Sequence, residues 1–291
     1  MPNKKIKYKI LKTAQNGKWA VGQFNISNLE ALKGIFGAAK KLKSPVIIGT
    51  SEGESKFLGL REARALVSLL EEETGVPAIL NLDHGKSLDY IKRAIQAGYD
   101  SVHFDGSKLP LSQNIALTVK VVKYAARFGV LVEGEVGFIK GNSKILKKIP
   151  KTRLEDLTDP IEARKFVDKT GVDSLAINIG TFHGIASSGR NPHINIARLR
   201  EIKEVLRERA FLVLHGGSGT PKEDVKAAIK IGIVKININT ELRKAFTGSL
   251  RKGLKEKIGE TTPYKYLPVA IGAVQKVVEE KIKVFNSQNK I

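Results

Sequence analysis

Three of the chain's five histidines, His84, His183 and His215, each end a short apolar run, and each is followed by glycine. The runs are AILNLDHG, SLAINIGTFHG and FLVLHGG. Read as buried strands that leave into loops, they bring three imidazoles to one rim of a barrel. A catalytic Zn²⁺ needs three protein ligands with one coordination position open. Such an ion acts as a Lewis acid on a bound carbonyl. Asp83 directly precedes His84 and puts a carboxylate beside the metal, suited to exchanging a proton with a substrate hydroxyl. Asp105 and Glu135 are expected as acceptors behind the ligands or as ligands of an alternative metal position. His103, inside a strand, and His193, in a polar loop, lack the shared context and read as structural.

Positioning three imidazoles requires a rigid frame, and the hydrophobic pattern supplies one. Eight short Val- and Ile-rich segments are expected as strands at 19–24, 46–49, 78–82, 101–104, 130–135, 174–178, 211–214 and 234–238. They are too apolar for a half-exposed antiparallel sheet. Helical punctuation lies between them. Ser27 with Glu30 has the capping-box spacing, Asp159-Pro160 and Thr220-Pro221 pair an N-cap with a first-turn proline, and Gly98, Gly129, Gly171 and Gly232 stand where helices end. Eight strand-then-helix units predict an α/β fold, the (β/α)₈ TIM barrel, with a doubly wound open sheet as the alternative because strand order is not legible.

A single domain over 1–291 is expected, with a mobile loop at about 138–156 and a C-terminal helix at about 269–286. In a barrel, catalytic groups come from the C-terminal strand ends. There the chain places Gln23, Asn25, Ser51, Asp83, His84, Asp105, Ser107, Glu133, Glu135, His183, His215, Ser218, Asn237 and Asn239. The segments HGGSGTPKED and ININTEL add consecutive backbone N–H groups and helix starts after the last two strands, where barrels commonly bind phosphate.

Composition bounds the rest. The absence of cysteine excludes disulfides, thiolate zinc sites and cysteine nucleophiles. No apolar stretch reaches membrane-span length and residues 1–18 lack a signal-peptide centre, so a cytoplasmic protein without a membrane partner is expected. The net charge of +21 is spread over many helices, and aromatics make up only 6%. Nucleic acid is therefore not the expected partner, and a lysine-biased surface that steers anionic metabolites is.

The stretches GQFN, SPVIIGTSEG, LDHG, AIQAGYDSVHFDGS, VEGEVG, HGGSGTP and KININTE resemble those of the class II, metal-dependent ketose-bisphosphate aldolases, which include the fructose- and tagatose-bisphosphate enzymes. The likeness spans about 20–285. It implies reversible cleavage of a ketose bisphosphate, most simply fructose 1,6-bisphosphate, into dihydroxyacetone phosphate and glyceraldehyde 3-phosphate. By resemblance, Zn²⁺ is held by His84, His183 and His215, Asp83 transfers a proton, and Asp105 and Glu135 serve a second or alternative metal site. Asn237 would hold the enediolate. Gly184, Gly216, Ser218, Asn239 and Thr240 would surround a phosphate and a monovalent cation, and Asn25, Ser51, Gly217 and Ile238 complete the expected substrate shell. A homodimer or homotetramer is implied.

The chain also departs from the family pattern. Where the family's loop carries the glutamate that deprotonates the triose, this chain has Lys140, Gly141, Asn142, Ser143 and Lys144. Ser187 stands where a phosphate-facing lysine is usual, with Arg190 nearby, and Ile271 where an arginine is usual. Glu155 is the loop carboxylate that could substitute as base. A different phosphorylated substrate, and a zinc-binding barrel without catalysis, are the alternative readings.

Overall fold

The computed structural model describes residues 2–150 and 152–291. Eight parallel strands close into a barrel: β1 (Val21–Asn25), β2 (Val46–Ser51), β3 (Ala78–Gly85), β4 (Ser101–Phe104), β5 (Leu131–Val136), β7 (Ser174–Ile177), β9 (Phe211–Leu214) and β10 (Ile233–Ile238). The order around the barrel is β1-β10-β9-β7-β5-β4-β3-β2, so the open sheet is excluded. Helices alternate with the strands, among them α2 (Leu29–Leu42), α3 (Glu52–Leu58), α7 (Pro160–Thr170), α9 (Lys222–Ile231), α10 (Thr240–Glu256) and α12 (Pro268–Val284).

Side chains alternate across each strand, and that period of two divides the core from the site. In β3, Leu80 and Leu82 face the helices in the main apolar cluster, while Ile79 belongs to a second cluster inside the barrel. Asn81 and Asp83 follow Ile79 on the inner face. In β5, Val132 and Val136 join the outer cluster, and Glu133 and Glu135 are buried on the opposite side. The inner cluster takes one residue from the start of six strands, Val21, Ile47, Ile79, Leu131, Phe211 and Val234, and packs them under Leu11, Ala14 and Trp19. Helix α1 (Pro2–Gly17) thereby stops the N-terminal mouth of the barrel, and only the C-terminal mouth is left to hold chemistry.

Two helix starts differ from the sequence-based expectation. Asn28, not Ser27, caps α2, accepting from Ala31 N, because its side chain stands one residue nearer the first free N–H. Pro221 occupies the N-cap position of α9, and Thr220 instead donates its hydroxyl to Gly216 O. Asp159 does cap α7, accepting from the N–H groups of Ile161 and Glu162.

The segment expected as an irregular loop contains a strand. Residues Gly141–Leu146 (β6) pair in parallel with His183–Ala186 (β8), outside the barrel. The Lys- and Ser-containing GNSKIL run lacks apolar alternation, so only a partner backbone reveals it as a strand. The junction is tight: Gly184 adopts φ +125°, and a Cβ there would lie 2.6 Å from Lys144 O and 2.7 Å from Asn142 O. Gly184→Ala is therefore expected to lose about 1–3 kcal/mol through backbone strain and the displaced pairing. A thermal melt matching the parent protein's would contradict that account.

Candidate active site

The imidazole of His84 reaches the barrel mouth through a local break in strand geometry. His84 has φ +53°, and the β3–β4 register shifts between Leu82 and Gly85. A left-handed residue interrupts the alternation that would send neighbouring side chains to opposite faces. Asp83 and His84, adjacent in sequence, consequently both line one cleft of about 520 Å³. His215 follows β9 directly, whereas His183 arrives from the excursion that forms β8.

Each of two imidazoles is oriented by a carboxylate. His84 Nδ1 lies 2.9 Å from Asp105 Oδ2, and His215 Nε2 lies 2.8 Å from Glu133 Oε1. Glu133 is itself held by a buried Lys235, whose Nζ donates to Oε2 at 2.5 Å. With those nitrogens engaged, His84 Nε2 and His215 Nδ1 face each other at 3.0 Å. The ring of His183 stands 4.9 Å from that of His84 and 6.1 Å from that of His215, and the His84 and His215 rings are 4.7 Å apart. Three imidazoles sharing a tetrahedral Zn²⁺ at ~2.05 Å hold their ring centres roughly 5 Å apart. Carboxylates behind metal-binding histidines set tautomer and orientation. The facing His84 and His215 nitrogens with their carboxylates fit a divalent cation, while the His183 ring stands wider of His215 than that spacing.

Among the described residues, ligand atoms of Asp83, His84, His103 and His215 lie within 4.8 Å of one another, as do those of His84, Asp105 and Glu135. His183 falls in neither set. His103, expected to be merely structural, packs its ring 4.7 Å from His84 and 4.9 Å from His215 and accepts the His84 N–H at Nδ1. Its strand position conceals this, because only the barrel's closure turns that residue under the site. His193 is remote and pairs with Asp224.

The electrostatics follow from the packing. Burial pushes the His84 imidazolium down, but the Asp83, Asp105 and Glu135 carboxylates override it and raise the group to about 10. Burial, with His84 and His215 adjacent, pushes His183 down to about 3 and leaves it neutral. Burial alone would raise Asp83. The charges of His84, His215 and Lys235 instead hold it well below the usual carboxylate range, so it is ionised.

Asp83 is held on both oxygens: Asn25 Nδ2 donates to Oδ2 at 2.9 Å and Asn237 Nδ2 to Oδ1 at 3.1 Å. Asn25, Ser51, Gly184, Gly216, Ser218, Asn237, Asn239 and Thr240 line the same cleft. Ser218 Oγ accepts from the N–H groups of Asn239 and Glu241 at the start of α10, which orients a helix N-terminus toward the cleft. Two expected substrate residues lie elsewhere. Gly217 gives its N–H to Asn237 O, and the Ile238 side chain is fully buried in the outer core. Asp105 and Glu135 line an adjoining cavity of about 480 Å³ that meets the cleft at His84, Ser143 and His183.

Glu54, Phe57 and Arg243 line the cleft without having been singled out in the sequence, and Ser143 joins them from the loop noted there only for lacking an acid. The Ser51-x-x-Glu54 spacing is that of a capping box, a signal that marks the start of α3 and says nothing of the cleft. Arg243 stands on the first turn of α10, where its Nη1 donates to Ser143 O at 3.2 Å. Glu155 does not reach the cleft: its side chain is largely exposed and paired with Arg153.

A family model described as class II fructose-bisphosphate aldolase matches residues 6–290. The chain is similar to the YdjI aldolase from Escherichia coli K12, with 31% identity over 97% of each chain and a TM-score of 0.83. It also shares the fold of a fructose-bisphosphate aldolase from Campylobacter jejuni, at 24% identity over 99% of this chain and 96% of that one, with a TM-score of 0.84.

Proposed function

From the chain's membership of the class II fructose-bisphosphate aldolase family, a family of metal-dependent lyases acting on sugar phosphates, we propose a zinc-dependent aldolase that reversibly cleaves a ketose bisphosphate. Fructose 1,6-bisphosphate is the substrate favoured, yielding dihydroxyacetone phosphate and glyceraldehyde 3-phosphate. The observation that carries this reading is the facing pair His84 Nε2 and His215 Nδ1, each backed by a carboxylate, with Asp83 beside them.

His84, His183 and His215 would hold the ion, with Asp105 and Glu135 as a second position. When bound, a divalent ion supplies Lewis-acid polarisation of a substrate carbonyl. The remaining work falls to this chain's side chains. Asp83, ionised and gripped by two amides, takes the proton of the hydroxyl that becomes the aldehyde oxygen. Asn237 Oδ1, buried and without a partner among the described residues, is left to accept a substrate hydroxyl. Gly184, Gly216 and Ser218, with Asn239 and Thr240 at the α10 N-terminus, would receive one phosphate, with a monovalent cation beside it. Arg243 would meet a second anionic group at the cleft rim.

A homodimer or homotetramer in the cytoplasm, with 1–291 as one domain, belongs to the same reading. Among the described residues no helix is long and apolar enough to cross a membrane. The related reading, a different phosphorylated substrate, is favoured by Ser187 and Ile271, which stand where the family usually carries a phosphate-facing lysine and an arginine. A coupled assay for triose release decides between them. Fructose 1,6-bisphosphate is expected to be cleaved at least tenfold faster, in kcat/KM, than fructose 1-phosphate. Equal rates would move the substrate to a monophosphate, and no release from any ketose phosphate would leave a metal-binding barrel.

A further inference from the structure

We propose that Glu54 is the group that moves the proton at the reacting carbon of the triose phosphate; this rests on the aldolase reading. Aldol chemistry exchanges two protons, one at the aldehyde oxygen and one at the triose carbon. Among the described residues that line the cleft, only Asp83 and Glu54 are carboxylates. The loop that would bring a glutamate offers Lys140 to Lys144 without an acid, and Glu155 points away into its pair with Arg153. Asp105 and Glu135 line the adjoining cavity instead.

The position of Glu54 is built rather than incidental. It starts from the capping box of α3, in which Glu54 Oε2 accepts the Ser51 N–H at 2.8 Å while Ser51 Oγ accepts the Glu54 N–H. The same Oε2 accepts from Asn25 Nδ2 at 3.0 Å, and Oε1 accepts from Asn239 Nδ2 at 3.3 Å. Asn25 divides its single amide between Glu54 and Asp83, so the two acids stand side by side. Two carboxylates can only accept, so Asn25 must turn its NH₂ to them, and its Oδ1 accepts from Gln23 Nε2 while Gln23 Oε1 accepts from Asn81 Nδ2. A buried chain of three amides thus sets one acid against the other. A cap alone needs Glu54 only at the Ser51 N–H. The further bonds to Asn25 and Asn239 turn the carboxylate into the cleft.

In the cleavage direction, Asp83 takes the C4 hydroxyl proton and the pair of the broken O–H bond becomes the second C4–O bond of the carbonyl. The C3–C4 bond pair remains on C3, and the Glu54 carboxyl delivers its proton there to give dihydroxyacetone phosphate. Solvent then restores both acids. In synthesis the Glu54 carboxylate takes the C3 proton, the pair on C3 adds to the aldehyde carbon, and Asp83 protonates the new oxygen.

Dihydroxyacetone phosphate alone, incubated with the zinc-loaded protein in deuterium oxide and followed by proton NMR, isolates the carbon step from the aldehyde. Glu54→Gln keeps an acceptor for the Ser51 N–H but cannot move a proton. Its exchange is expected to fall about 100-fold or more, with zinc content and melting temperature unchanged, while Glu155→Gln exchanges like the parent. Exchange by Glu54→Gln within threefold of the parent overturns the assignment. If Glu54→Gln folds poorly, Glu54→Ala decides by chemical rescue: formate restores exchange where chloride does not, and no rescue overturns the proposal. Parent protein that exchanges no deuterium removes the aldolase reading itself, whereas parent exchange with an unimpaired Glu54→Gln removes only the role of Glu54.

Discussion

Stripping the divalent ion with a chelator is expected to abolish triose release from fructose 1,6-bisphosphate by about 10³-fold or more, with Zn²⁺ restoring it. A thousandfold corresponds to about 4 kcal/mol of lost transition-state stabilisation, within what Lewis-acid polarisation supplies. The structure gives this expectation its selectivity. His215 is aimed by Glu133, which Lys235 anchors inside the barrel, and His84 is aimed by Asp105. The donors are therefore preformed, and re-addition of zinc should recover activity without refolding. His215→Ala should mimic the chelator and resist rescue. Full turnover in the presence of chelator, with metal-free protein verified by elemental analysis, would exclude the metal from the reaction.

Asp83→Asn is the second large loss expected, about 10²–10⁴ in kcat, the range for removing a positioned general acid–base group. Asn25 and Asn237 both direct amide N–H groups at Asp83. An asparagine there presents one oxygen and one NH₂, so it loses the titratable oxygen and sets one donor against another. Zinc content measured on the same sample separates two causes. Full metal with collapsed kcat and little change in KM identifies proton transfer. Loss of metal in step with activity would instead make Asp83 a ligand, an arrangement its closeness to His84, His103 and His215 permits.

Where sequence reasoning succeeded and where it missed follow from the same packing. The eight barrel strands were legible because a parallel strand covered on both faces must be apolar and is bounded by turns. Their C-terminal ends carry Asp83, His84 and His215, polar side chains with no use in a core, and the structure brings all three to one cleft. Strand β6 was not legible, since GNSKIL gains its partner only when residues 183–186 return alongside it. The position of His103 beside the site was hidden for the same reason: burial in a strand is its sequence context, and contact with two other imidazoles is its tertiary one.

By itself, then, the order of residues determined the eight buried strands with helices between them and the short roster of imidazoles and acids available to them, since these depend on periodicity and on which groups cannot be buried idly. The tertiary structure alone decided which nitrogens face one another, how His84 turns beside Asp83 through a positive φ, and that Glu54 enters the cleft while Glu155 does not. Those outcomes depend on distances between residues far apart along the chain, and barrel closure sets these distances where local propensity does not.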